Sequence, residues 1–224
     1  MYIGVNALNY IMKIVPRCSF KMKPDLKSKV SDYYGDKVTT YGPTPKGVDW
    51  KDAESQDLRF EQLLKVIDAR ERFTLNDLGC GYGGIFAYKN TARRLAKYYG
   101  YDICEDMLIR ARQLISDSKA SFINSDRITR DADYSIASGI FNVKTDVDVE
   151  VWEDFIVETL RNMDEKSLKG FSFNCLTSYV DYKMDHLYYG DPLFYFDFCK
   201  KNFSRYVTLL HDYPLYEWTI LLRR

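Results

Sequence analysis

The decapeptide Leu75-Asn-Asp-Leu-Gly-Cys-Gly-Tyr-Gly-Gly84 concentrates glycine around one carboxylate, Asp77. Glycine lets backbone N–H groups approach a ligand with no Cβ in the way, and it reaches positive φ at little cost. Gly79, Gly81 and Gly84 satisfy G-x-G-x-x-G, the spacing of dinucleotide-binding turns. A helix starting after the loop would favour a negatively charged ligand. Asp77 points the other way. A carboxylate two residues before the first glycine repels a pyrophosphate and attracts a cationic or amino-bearing group. A second carboxylate, Asp102, closes the expected next strand, where it can accept hydrogen bonds from both ribose hydroxyls. Nicotinamide sites use the same device, so Asp102 does not choose between ligands.

The elements around these residues follow from periodicity and turn signals. A short helix is expected over 25–34, a turn-rich break over Tyr41–Gly47, and a helix over 52–67 with Leu58, Leu63, Val66 and Ile67 on one face. Strands are expected over 73–78, 98–102, 120–124, 134–141, 170–176, 206–211 and 216–222. Helices are expected over 85–97, 106–115, 149–163 and 192–201. Trp152, Phe155, Ile156, Thr159, Leu160 and Met163 make the clearest apolar stripe, with Thr145-x-x-Asp148 as a candidate cap. Strand–helix alternation followed by the turn Asp212-Tyr213-Pro214 predicts an α/β fold. Its Rossmann-like, mostly parallel seven-stranded sheet carries helices on both faces and a C-terminal antiparallel hairpin. Residues 1–70 form a helical lead and possible lid, and 71–224 a single cofactor-binding unit. On such a sheet, ligands bind outside the carboxyl ends of the strands.

Four segments carry a family resemblance: Asp77-Leu-Gly-Cys-Gly-Tyr-Gly83, Gly100-Tyr-Asp-Ile-Cys-Glu-Asp-Met-Leu-Ile-Arg-Ala-Arg112, Asn124-Ser-Asp126 and Tyr134-Ser-Ile-Ala-Ser-Gly-Ile-Phe141. Together they resemble the successive motifs of class I S-adenosylmethionine-dependent methyltransferases. The resemblance spans about 73–223 and implies S-adenosyl-L-methionine as cofactor. It places Asp77, Gly79 and Gly81 along the methionine part, Asp102 at the ribose, Ile103 and Met107 against the adenine, and Asp126 at the adenine amino group. Ser138 lies where the fourth strand opens toward the cofactor. Gly47-Val-Asp-Trp50, Ser55-Gln-Asp-Leu-Arg-Phe60 and the aromatic C-terminal third also resemble small methyltransferases encoded with bacterial surface-polysaccharide (capsule, phosphoramidate) genes. That resemblance implies a small-molecule or glycan-linked acceptor. The alternatives are an NAD(P)-dependent oxidoreductase using the same glycines and a non-catalytic cofactor-binding protein.

Methyl transfer from a sulfonium is an in-line displacement, so a base is needed only where the nucleophile carries a proton. His186, in Asp185-His-Leu-Tyr-Tyr-Gly-Asp191, falls where a substrate loop would lie, and Tyr188 and Tyr189 follow it. These three are the catalytic candidates; packing is the competing role of the tyrosines, and His211 is the weaker histidine. Arg59 could clamp the cofactor carboxylate bidentately or serve a surface ion pair. Tyr41 and Trp50 could form part of a lid or simply cover the core. Phe141 and Asn142, just past the fourth strand, are placed by topology for substrate contact. Asp181, Asp185, His186 and Asp191 match no metal-binding loop, so no metal is expected.

Lysine plus arginine equals aspartate plus glutamate, 32 each, which leaves no global field for nucleic acid or an anionic membrane. The Arg93-Arg94 pair reads as a solvated helix face. Five scattered cysteines without a C-x-x-C pair argue against a disulfide framework and fit a reducing cytoplasm. The opening MYIGVNALNYIMKIV is interrupted by Asn6, Asn9 and Lys13, and reads as a docking helix or loose extension, with no membrane insertion.

Overall fold

The computed structural model describes residues 24–224 except Ala69, Glu71 and Asn90, so the expectation for the opening segment lies outside the described residues. Seven strands form one sheet: β1 (Phe73–Leu78), β2 (Leu95–Asp102), β3 (Ala120–Asn124), β4 (Ala132–Ala137), β5 (Ser167–Leu176), β6 (Tyr206–Leu210) and β7 (Glu217–Arg223). Their order is β3-β2-β1-β4-β5-β7-β6. The first five are parallel; β7 runs antiparallel between β5 and β6. The expected fold class is the observed one.

Alternation along the strands splits the core into two layers. On β5 and β7, Phe171, Phe173, Cys175, Trp218, Ile220 and Leu222 face one way. They pack with α6 (Val149–Lys166) and α7 (Pro192–Asn202). The other face holds Leu75, Tyr134, Ile136 and Leu221 beneath α2 (Ala53–Leu64). The α6 stripe buries all six residues expected of it. Burying each large apolar side chain there contributes about 1.5–3 kcal/mol. Its start differs from expectation. Asp148 holds the N-cap position without a side-chain hydrogen bond, and Thr145 sits at φ 57° rather than capping.

Two further departures concern the crossover after the glycine loop and the leading helix. The expected helix over 85–97 is two single turns, α3 (Gly84–Ala87) and α4 (Thr91–Arg94), and β2 begins at Leu95. Lys89, at φ 41°, breaks the helical path between them. The leading helix α1 (Pro24–Tyr41) is longer than expected, and a 3-10 turn (Pro45–Val48) follows it. Asp52 and Ser55 then form a capping box that starts α2.

The parallel register brings the strand ends level. Leu78 pairs with Tyr101 on one side and Ala137 on the other, and Asp102 pairs with Asn124. The residues that leave β1, β2, β3 and β4 therefore emerge at one rim. α5 (Glu105–Leu114) begins beside it.

Candidate active site

At that rim lies a cleft, part of it open to solvent. β1 supplies Asp77 and the glycine loop, β2 supplies Asp102, the β3 exit supplies Ser125 and Asp126, and β4 supplies Ser138, Gly139 and Ile140. Ile103 and Met107 line it from the start of α5. Eight of the nine residues expected at a cofactor thus meet in one cavity. Arg59 is the exception.

The loop is bare for a geometric reason. Gly79, Gly81 and Gly83 have φ of 75°, 52° and 86°. The N–H groups of Gly79 and Cys80 both donate to the Tyr101 carbonyl, at 2.7 and 3.0 Å. The Gly81 N–H donates to Asp102 Oδ2 at 2.8 Å, and the Cys104 N–H to Oδ1 at 2.9 Å. Asp102 therefore fastens the loop while lining the cavity. A β-carbon on Gly79 would stand 2.1 Å from Ile140 Cγ2. Gly79→Ala is expected to destabilise the protein by about 2–4 kcal/mol, from the left-handed backbone and the overlap together. At roughly 2–4 °C per kcal/mol for a chain of this size, thermal melting would show it; an unchanged midpoint would refute this geometry.

Asp77 is buried, and its Oδ2 accepts a 2.5 Å hydrogen bond from the Tyr98 phenol. Burial lifts its carboxyl to about 7; the Tyr98 bond offsets this in part, and the charge of Asp102 adds to it. Burial likewise raises Asp102, against the pull of its backbone hydrogen bonds. With Asp126, three acids face one space. Such a cavity suits a ligand carrying positive charge and hydroxyls. It does not suit a pyrophosphate, since α3 is a single turn and contributes little dipole. The Ser138 hydroxyl is buried without a protein partner beside this space. An unpaired buried hydroxyl is costly unless a ligand meets it. Bare loop, acids and orphaned hydroxyl together fit S-adenosylmethionine.

Other sequence-predicted residues take different places. Arg59 is buried and does not line the cleft. Its Nε and Nη2 hold Glu217 at 2.7–2.9 Å, and Nη1 donates to the Ser55 carbonyl at 2.9 Å. The expected cofactor clamp or surface pair is instead an interior pair, because the α2 face carrying Ser55, Gln56, Arg59 and Gln62 turns inward. Trp50 does line the cleft, whereas Tyr41 ends α1 at 49% exposure, away from it. Phe141 is a core residue packed on Phe155 and Phe173. Asn142 is buried; its Oδ1 accepts from the Leu176 N–H at 3.1 Å, tying two strand ends together. The chain turns at Gly139, so Ile140 faces the cleft and the next two residues do not. His186 is exposed, with its carbonyl bound by the Lys144 and Thr145 N–H groups. The Tyr188 hydroxyl is engaged by Glu153 and Tyr195 at 2.9 and 2.8 Å, and that of Tyr189 accepts from the Met184 N–H. None of these three lines the cleft.

Several lining residues escaped the sequence reading. Val30 and Tyr34 come from α1, Gln56 and Phe60 from α2, and Trp152 and Phe155 from α6. The Tyr82 hydroxyl donates to Gln56 Oε1 at 2.9 Å. The inward polar face of α2 was the available signal for Gln56.

No protein-family model matches the chain. It is 48% identical over 166 residues to "Putative methyltransferase Rv1506c" of Mycobacterium tuberculosis (strain ATCC 25618 / H37Rv), a match covering 72% of this chain and 99% of the relative. Among solved structures, the magnesium protoporphyrin IX methyltransferase ChlM of Synechocystis PCC 6803 with bound SAM superposes with a TM-score of 0.60 at 16% identity, covering 92% of this chain and all of that one. The DhpI-SAM-HEP complex gives 0.64 at 12%, covering 91% and 100%. The N-methyltransferase NodS of Bradyrhizobium japonicum WM9 gives 0.57 at 12%, covering 77% and 97%. At those identities the three structures speak for the fold.

Proposed function

The chain belongs to the class I S-adenosylmethionine-dependent methyltransferases, and from that premise we propose that it methylates a small-molecule acceptor entering its cleft beside Trp50. The observation that carries this reading is the convergence of Asp77, Asp102, Asp126 and the orphaned Ser138 hydroxyl on one cleft. Asp77 and the Gly79–Gly81 backbone take the amine end of the cofactor, Asp102 the ribose hydroxyls, Ile103 and Met107 the adenine faces, and Asp126 its amino group. Arg59 is committed to Glu217, so the cofactor carboxylate falls to Gln56. The nitrogen of that side chain lies 3.6 Å from where a Gly84 β-carbon would stand.

The cofactor supplies a methyl carbon on a positively charged sulfur. Bound there, it would offer that carbon to the lone pair of an acceptor placed in line with the carbon–sulfur bond. The protein's part is to align these atoms and exclude water. The aromatic walls Tyr34, Phe60, Trp152 and Phe155 do the second. Burial holds the Tyr34 phenol well above its ordinary range, so it keeps its proton and does not serve as a base. With His186, Tyr188 and Tyr189 outside the cleft, this reading rests on positioning rather than on a strong base. A glycan-linked acceptor, as in bacterial surface-polysaccharide modification, is the form favoured by the exposed rings of Tyr179, Tyr182 and Tyr216. Tyrosine offers an apolar face and a polar tip to a sugar.

Calorimetry with S-adenosylmethionine and S-adenosylhomocysteine tests the cofactor. Labelled cofactor mixed with small-molecule and glycan fractions then identifies which compound gains the labelled methyl group. Absence of heat with either compound would overturn the reading.

A further inference from the structure

The buried Arg59–Glu217 pair lies outside the cleft yet touches its wall. Arg59 Cζ stands 3.9 Å from the centroid of the Trp50 ring. That indole also lies against Gly139, where a β-carbon would lie 2.3 Å from Trp50 Cη2. The Gly139 N–H donates to Asn174 Oδ1 at 2.7 Å, and Asn174 Nδ2 donates to Glu217 Oε2 at 2.8 Å. Glu217 closes the circuit on Arg59. Five residues from five separate stretches of chain thus form one ring of contacts, and four of them, Arg59, Gly139, Asn174 and Glu217, are buried.

A buried ion pair is seldom more stabilising than apolar residues of the same shape, so its presence calls for a positional reason. Trp50 supplies one. It follows a 3-10 turn and the left-handed residue Asp49, where no strand ladder or long helix fixes a side chain. A flat guanidinium clamped bidentately offers a rigid platform for an indole, which a flexible ammonium could not. We infer that Arg59 and Glu217 are positioning residues: they hold the Trp50 indole against Gly139 as a fixed wall of the cleft, and so slow cofactor escape without touching it. This rests on the methyltransferase reading for the identity of the ligand alone.

Of the three tryptophans, Trp152 and Trp218 are fully buried, so acrylamide quenching of the intact protein reports on Trp50. Glu217→Gln keeps the shape and an acceptor for Arg59 but removes the charge. It is expected to raise the quenching constant about twofold or more and to speed S-adenosylhomocysteine dissociation about tenfold, a change of ~1.4 kcal/mol. Trp50→Leu should speed dissociation equally, and adding Glu217→Gln to it should change little further, because both act through one contact. Should Glu217→Gln fail to fold, Arg59→Lys, which keeps the charge and loses the flat face, takes its place. Unchanged quenching and off-rate in a folded variant, or effects that simply add in the double variant, would overturn the inference. A merely structural pair would lower the melting temperature and leave both readouts alone. If the wild type takes up neither sulfur compound, the methyltransferase reading falls, and quenching, which needs no ligand, still decides whether the pair anchors the indole.

Discussion

Asp77→Asn is expected to weaken S-adenosylmethionine binding by roughly 30- to 1000-fold, about 2–4 kcal/mol, in a protein that stays folded. Asparagine retains an acceptor for the Tyr98 phenol and loses only the charge. The proton linkage gives the sign of the accompanying pH effects. In the folded chain burial pushes the carboxyl up to about 7, whereas in the unfolded chain it titrates near 3.9. Between those values the native state keeps a proton that the unfolded state has lost. Stability therefore falls as pH rises from about 4 to 7, and is fully reduced above 7. The variant should lack this contribution and gain on the wild type across that window. Cofactor binding follows the opposite course. A cationic amine favours the ionised carboxylate, so binding below pH 7 expels a proton, and wild-type affinity rises up to tenfold per pH unit until about 7. Calorimetry in buffers of different ionisation heat measures the proton directly. Equal affinity of wild type and variant, or no proton release at pH 6, would refute an Asp77–amine contact.

How much of this was legible in the chain depends on how far apart in sequence the cooperating residues lie. Asp77, the glycines and Asp102 sit at the ends of adjacent parallel strands, so strand–turn periodicity alone places them at one rim. The α6 stripe was equally plain, because burial on one helix face leaves a 3.6-residue pattern. Contacts across 158 residues leave no such trace: the Arg59–Glu217 pair looks from sequence like one more charge on a helix and one more at a strand start. The direction of a side chain leaving a strand is also set by a single backbone angle. Gly139 at φ 73° sends Ile140 to the cleft and Phe141 to the core, and a topological rule cannot resolve that step. His186 and Tyr188 belong to a loop tied to the segment after β4 by the Val143–Leu187 bridge. That pairing fixes the loop by its backbone and leaves the imidazole in solvent. Finally, the 85–97 helix failed because propensity over Ile85–Lys97 was outweighed by β2, which extends back to Leu95 to pair with Phe73.

Asp102→Ala should reduce S-adenosylhomocysteine affinity by about two orders of magnitude, but the number alone would be ambiguous, since this carboxylate does two things. It accepts from the Gly81 and Cys104 N–H groups, and removing it leaves both donors wanting, at about 1–3 kcal/mol for each that water cannot reach. A loosened glycine loop would weaken any ligand of the cleft. Direct recognition of the ribose can be separated from this by changing the ligand as well as the protein. Against wild type, a 2′,3′-dideoxyribose analogue of S-adenosylhomocysteine should bind about 1–3 kcal/mol more weakly than the parent, because a charged acceptor has lost its hydroxyl donors. Against Asp102→Ala the two ligands should bind alike, whatever has happened to the loop. Asp102→Asn should fall between, its single amide oxygen serving one N–H where the carboxylate served two. If the hydroxyls are worth as much to the alanine variant as to the wild type, then Asp102 fastens the loop and does no more, and the ribose must be held by another group at the rim.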